Sequence, residues 1–219
     1  MSVAIIIPTT GRPLTNDLTL TLGVVRQALA TLGFRTEVYL GKHYGVDKAR
    51  EMTVEAAIAA KHTHILFLDD DIVPENIESI GKLILMSVPV AVGIYYEKNM
   101  RGLNLHYKVG PMKYPNYKPQ DVDKWLSLNI GLRAVDAAGL GFALIDAEVF
   151  KSLSKPWFKF EDRGEDIFFA EKLESELGLK PVAVLTATAR HAVGPEFYLT
   201  WRGEIISVSA PREPAPSQP

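Results

Sequence analysis

Apolar residues are distributed along this chain in two patterns. Val3-Ala4-Ile5-Ile6-Ile7 and Ile65-Leu66-Phe67-Leu68 are short runs with no polar alternation, which predicts strands covered on both faces. Elsewhere the spacing is three and four residues. Leu18, Leu22, Val25, Leu29 and Leu32 recur in this way and predict an amphipathic helix closed by Gly33. Arg35 to Leu40 reads as a second strand, Gly41 to Gly45 as a loop, and the alanine-rich stretch from Val46 to about Ala60 as a second helix leading into the Ile65 strand. The order β-α-β-α-β with short connections predicts a parallel sheet with right-handed crossovers.

Further along, Ile77, Ile80 and Ile84 mark a helix and Val88 to Tyr95 a strand. From Glu97 to Lys124 the chain is rich in Tyr, Lys, Pro, Asn and Gly and has little periodicity. A stretch of this kind reads as a binding loop, a lid or a plain exposed excursion. Val135 to Ile145 resumes as strand with Gly139 and Gly141 in its middle, and Asp146 caps a short helix through Leu153. Ile167, Ala170, Leu173 and Leu177 share one helical face that Gly178 ends, so Glu165 and Asp166 fall in the first turn. Pro181 to Ala189 is the last expected strand, with His191 just beyond it. After Trp201 the pattern fades, and four prolines in Ala210 to Pro219 predict a disordered or interacting tail. The expected organisation is one α/β domain over 1–205 and a proline-rich tail over 206–219, with no internal repeat.

Composition narrows the chemistry. A chain of 219 residues, 47% hydrophobic and 23% charged, suits one substantial globular domain. A net charge of -2 gives no basic surface for nucleic acid. Without cysteine, disulfides and thiolate sites are excluded, and a metal would be held by oxygen or histidine. Met1 to Pro8 lacks the basic region of a signal sequence, and no apolar run approaches the ~20 residues of a membrane span. A cytoplasmic location is expected.

Two acidic clusters stand out. Asp69, Asp70 and Asp71 follow the Ile65 strand directly, and the carboxyl edge of an open α/β sheet is where ligands bind. Three adjacent carboxylates repel one another and favour a hard cation such as Mg²⁺ or Mn²⁺. Capping of a helix that starts near Pro74 would account for one of them only. The second cluster is Gly164-Glu165-Asp166, where the helix dipole alone would also favour acids.

Four matches together resemble the nucleotide-sugar-dependent glycosyltransferases of the GT-A fold, in particular family 2-like members. They are Ile5-Ile6-Ile7-Pro8-Thr9, Lys48-Ala49-Arg50, Phe67-Leu68-Asp69-Asp70-Asp71 with Pro74, and Gly164-Glu165-Asp166 with its helix, a strand and His191. The resemblance runs from residue 3 to about 191. It implies a single-domain, Rossmann-like, mixed but mainly parallel sheet flanked by helices, and a metal-dependent transfer of a hexosyl group from a nucleoside-diphosphate sugar to an acceptor hydroxyl.

By the same resemblance, Pro8, Thr9 and Arg12 border the nucleotide pocket, Glu37 meets the base or ribose, and Arg50 contacts the nucleotide. Asp69 matches the ribose or base contact of the Asp-X-Asp motif and Asp71 its ligand to Mn²⁺ or Mg²⁺. Asp70 lies between them, counted with the donor site though pointing away if strand geometry continued. His191 resembles a distal metal ligand. Asp166 matches the general base of an inverting displacement, and Glu165 would hold the acceptor or the base. Phe168 and Phe169 read as core, and Trp157 and Phe158 as a possible sugar-stacking surface. The short Gly41 to Asp47 segment departs from the family, where a longer Asp-containing loop is common. Two rivals remain open at this level: a sugar-phosphate nucleotidyltransferase, for which Thr9-Thr10-Gly11-Arg12-Pro13 offers only one glycine, and a non-catalytic nucleotide-sugar or carbohydrate-binding protein.

Overall fold

A computed structural model describes residues 1–9, 16–42, 45–194 and 196–207. The first half follows the predicted order: β1 (Ser2–Thr9), α1 (Asn16–Thr31), β2 (Arg35–Lys42), α2 (Val46–Ala59) and β3 (His64–Leu68). Then come β4 (Ile72–Pro74), α3 (Ile77–Leu85), β5 (Val90–Ile94), β6 (Leu105–His106), α4 (Pro119–Ser127), β7 (Leu132–Ala134), β8 (Ala137–Ala138) and β9 (Phe142–Asp146). The chain finishes with α5 (Ala147–Ser152), α6 (Glu165–Lys172) continued by a π-helical turn Leu173–Leu177, β10 (Val182–Ala192), β11 (Phe197–Leu199) and β12 (Ile205–Ser207).

The main sheet has the order β12-β11-β10-β5-β9-β3-β1-β2. Strands β2, β1, β3, β5 and β10 run in one direction, and β9 runs against its neighbours β3 and β5. This is a mixed α/β sheet whose parallel strands are interrupted at the centre by antiparallel β9, with helices on both faces. The unbroken apolar runs are explained by that double cover. Ala4, Ile6, Ile65 and Phe67 pack on one side with Val54, Phe150 and Phe169. Val3, Ile5, Ile7, Leu66 and Leu68 pack on the other with Leu18, Val25, Leu29, Ile80 and Leu83. Each such fully buried side chain contributes about 1.5–3 kcal/mol, so the centre of the sheet is a firm base for its carboxyl edge.

Four differences from the predicted pattern bear on that edge. The helix after the aspartates starts at Ile77, capped by the Asn76 side chain, which accepts from the Ser79 N–H at 2.9 Å; Asp69, Asp70 and Asp71 cap nothing. Ile72–Pro74 instead forms β4, antiparallel to β10, with Ile72 opposite His191. His191 therefore lies within β10 rather than beyond it. The expected strand Val135 to Ile145 is broken at Gly139-Leu140-Gly141 into β8 and β9. The segment from Glu97 to Lys124 contains β6, paired with β8, and the start of α4. Residues 208–219 of the expected tail lie outside the described residues.

Candidate active site

Arg50, on α2, is 1% exposed and sits among three carboxylates. Its Nη1 donates to Glu165 Oε1 at 2.6 Å and to Asp166 Oδ1 at 2.5 Å, and its Nη2 donates to Asp69 Oδ1 at 3.0 Å. The guanidinium also lies over the Phe67 ring, 5.5 Å from its centroid. A buried cation is tolerated when paired in this way. Burial opposes its charge, but the fields of Asp166, Asp69 and Glu165 prevail and hold it protonated above its ordinary range. One arginine thus ties the end of β3 to the start of α6, residues far apart in sequence.

Each carboxylate has further anchors. The Asp69 N–H donates to Gly141 O at 2.9 Å. A Cβ on Gly141 would stand 2.7 Å from Asp69 Oδ2 and 2.9 Å from Tyr95 Oη, so only glycine fits the close approach of the β8–β9 turn. Tyr95, buried beneath, donates nothing to that turn but accepts from the Gly141 N–H at 3.2 Å; burial, then the Asp69 and Asp166 charges, push its phenol up. Asp166 Oδ2 accepts from the Leu140 N–H at 3.3 Å. Gly164 precedes the two acids at φ 91°, a region open chiefly to glycine, and this turn delivers both to Arg50. Burial and the neighbouring Asp166 raise the Glu165 carboxyl to about 7, and burial raises Asp69 despite Arg50. Side-chain exposure separates the pair: 25% for Asp166 against 10% for Glu165.

Asp71 forms a second focus. Its backbone O accepts from the Ala192 N–H at 2.8 Å, which continues the β4–β10 ladder and sets Asp71 beside His191. His191 Nδ1 is 2.9 Å from Tyr96 O; a carbonyl only accepts, so Nδ1 carries a proton and Nε2 faces Asp71 Oδ1 at 3.5 Å. Lys98 Nζ donates to the other oxygen, Asp71 Oδ2. Burial raises the Asp71 carboxyl, but contacts from His191 and Lys98 outweigh it and bring it down to about 2.

Pro8, Thr9, Val46, Ala49, Asp69, Asp70 and Asp71 line one cleft at this sheet edge. Thr9 Oγ1 is buried there without a hydrogen-bond partner among the described residues. The sequence-predicted residues Pro8, Thr9, Asp69, Asp70 and Asp71 are therefore brought together, with Glu165 and Asp166 linked to them through Arg50. Arg50, Glu37, Trp157 and Phe158 are not among the residues that line the cleft. Arg50 lies beneath the carboxylates as their buried counterion. Glu37 is opposite Ala4, well short of the Pro8–Gly41 end of the strands, and its carboxylate meets His62 Nε2 at 3.2 Å; it is outside the cleft. Trp157 and Phe158 are 4% and 3% exposed and pack into the aromatic core with Phe150 and Phe169, so they offer no sugar platform. Arg12 lies outside the described residues. The sequence reading missed Lys98 and Tyr95, and placed Gly141 only within an expected strand. The run Tyr95-Tyr96-Glu97-Lys98 directly after a strand was the available signal.

Comparison with solved structures places this architecture. A197 from STIV matches at 20% identity and a TM-score of 0.68, over 96% of this chain and 95% of that one. GalNAc-T7, solved with UDP, GalNAc and Mn²⁺, matches at 14% identity and 0.51 over 84% of this chain and 42% of its own. A Drosophila β1,4-galactosyltransferase 7 variant, in complex with manganese, UDP-Gal and xylobiose, matches at 15% and 0.50 over 95% and 71%. The fold is GT-A. No protein-family model matches the chain, and no curated protein matches it by sequence. On this GT-A sheet the cleft occupies the carboxyl edge of the parallel strands, and what it can do rests on its own residues. Among the described residues no group of three or more metal-ligating side chains occurs, and no helix is long and apolar enough to cross a membrane.

Proposed function

We propose that this chain is a metal-dependent glycosyltransferase that moves a hexosyl group from a nucleoside-diphosphate sugar to an acceptor hydroxyl with inversion. The observation that carries this reading is the single Arg50 guanidinium bonded to Asp69, Glu165 and Asp166. It sets Asp69, which lines the cleft, next to the partly exposed Asp166 of α6, the proximity that a two-substrate transfer needs.

The Thr9 hydroxyl, buried without a hydrogen-bond partner among the described residues, is free to bond an atom of the donor nucleotide. His191 Nε2 lies 3.5 Å from Asp71 Oδ1, so one cation could take both as ligands. Carboxylate oxygen and imidazole nitrogen suit Mn²⁺, or Mg²⁺ with fewer protein ligands, and the Tyr96 carbonyl fixes the ligating tautomer. A bound ion would be held by Asp71 and His191 and would supply electrostatic stabilisation of the leaving group.

In the transfer, the acceptor oxygen bonds to the anomeric carbon while the bond from that carbon to the diphosphate breaks, and the nucleoside diphosphate leaves with the electron pair. The acceptor proton goes to Asp166, the more exposed of the two acids at Arg50. Leu140 N–H and Arg50 fix its carboxylate. Glu165, buried on the same guanidinium, orients it.

The test is release of nucleoside diphosphate from a panel of nucleotide sugars with Mn²⁺. Wild type should turn over at least one donor, and Asp71→Ala should lose metal-stimulated release. Asp166→Asn should lower kcat by about 10²–10⁴-fold with little change in donor KM, the usual contribution of a general base. Turnover of D166N near the wild-type rate would remove Asp166 from this role.

A further inference from the structure

The segment that follows β5 touches every part of the Asp71 focus. Tyr95 lies under Asp69 and Gly141, the Tyr96 carbonyl holds His191, and Lys98 reaches Asp71. Lys98 is not placed by chance on an open surface. Glu97, one residue before it, receives a backbone N–H from Met100 at 3.0 Å and gives its own to Gly102 O at 2.9 Å. The Glu97 side chain is half-buried, 3.3 Å from His106 Nε2, and accepts from Asn99 Nδ2 at 2.7 Å. His106 Nδ1 in turn meets Tyr114 O at 3.2 Å. The turn that carries Lys98 is thus tied to β6, and its ammonium falls on the oxygen of Asp71 that His191 leaves free.

We propose that Lys98 is a tethered cation that neutralises Asp71 in the absence of metal, leaves it when a divalent ion binds the same carboxylate, and then turns to the diphosphate of the donor. The inference rests on the assignment of Asp71 and His191 as metal ligands. Its physical basis is competition for one negative charge: an ammonium on Asp71 Oδ2 and a divalent ion on Oδ1 beside His191 would set two like charges on a single carboxylate. A lysine on a flexible stem with three donors can move between a carboxylate and a phosphate, whereas a bound metal alone would leave Lys98 facing like charge. The consequence is ordered loading. Metal binds weakly to the free protein and more tightly once a diphosphate receives the displaced ammonium, which limits binding of free metal when no donor is present.

The experiment is Mn²⁺ binding to the full chain, followed by electron paramagnetic resonance, for wild type, Lys98→Gln, Lys98→Arg and Asp71→Asn, with and without UDP. Without nucleotide, K98Q should bind Mn²⁺ about three- to fivefold more tightly than wild type, the scale of one half-exposed ion pair, and K98R should resemble wild type. UDP should strengthen Mn²⁺ binding more in wild type than in K98Q. Unchanged or weaker metal-only binding by K98Q, with binding still lost in D71N, overturns the role of Lys98 alone. Equal strengthening by UDP in both proteins, or none in wild type, overturns the donor-linked half. Mn²⁺ binding that survives intact in D71N overturns the metal assignment itself, and the proposal with it.

Discussion

Glu165 gives the site a pH signature of its own. Its carboxyl titrates near 4.5 when free and about 7 in the fold, because burial and then Asp166 disfavour its charge. Between those values the folded chain holds a proton that the unfolded chain has released, so stability from this group falls as pH rises from 4.5 to 7. Glu165→Gln keeps an acceptor for Arg50 and removes the charge. Its thermal midpoint should vary less with pH across that window than that of wild type, and lie above wild type at pH 7.5. Asp71 has the opposite sign in a different window. Lowered to about 2 from 3.8, it contributes stability at neutral pH that is lost only in strong acid, so the two effects separate in a scan of melting temperature against pH.

At the scale of elements, α2 acts as a bracket with two sides. Arg50 faces the sheet edge. Glu51 receives the backbone N–H groups of Trp157 and Phe158 at 2.9 and 3.0 Å, and Asp47 that of Phe160 at 3.2 Å, which fixes the loop leading to Gly164-Glu165-Asp166. The β8–β9 turn closes the site from the other direction, where Gly141 leaves no room for a side chain. Gly141→Ala should cost about 1–3 kcal/mol in urea denaturation, the usual scale of overpacking. It should also displace Asp69 and raise donor KM more than it lowers kcat. Periodicity alone showed two glycines in an apolar stretch; it did not show that β9 turns back against β3 and β5. That reversal needs the neighbouring strands, because a buried strand reads the same in either direction.

For the whole molecule, Arg50 is, among the described residues, the side chain through which the two acidic clusters meet, and Glu165 follows Asp69 by 96 positions in the chain. Arg50→Met leaves three carboxylates facing one another without a counterion. Loss of one partner of a buried ion pair costs about 3–5 kcal/mol. The measured loss in denaturant should be near that at pH 7.5 and smaller at pH 5, where protonation of Glu165 relieves the repulsion. A small, pH-independent loss would mean that the carboxylates do not depend on Arg50.

Local sequence determined most of the scaffold. The unbroken runs Val3 to Ile7 and Ile65 to Leu68 set the central strands, three- and four-residue spacing set the helices, and the aspartates and Gly164-Glu165-Asp166 stood out as acidic clusters, because these signals lie within a few residues of one another. Tertiary structure decided what those residues face. It buried Arg50 among acids, placed Glu37 and Trp157 away from the cleft lining, set His191 within β10 opposite Ile72, and brought Lys98 to Asp71. Each of these depends on strand register or on a contact between residues distant in the chain, and neither propensity nor spacing carries that information.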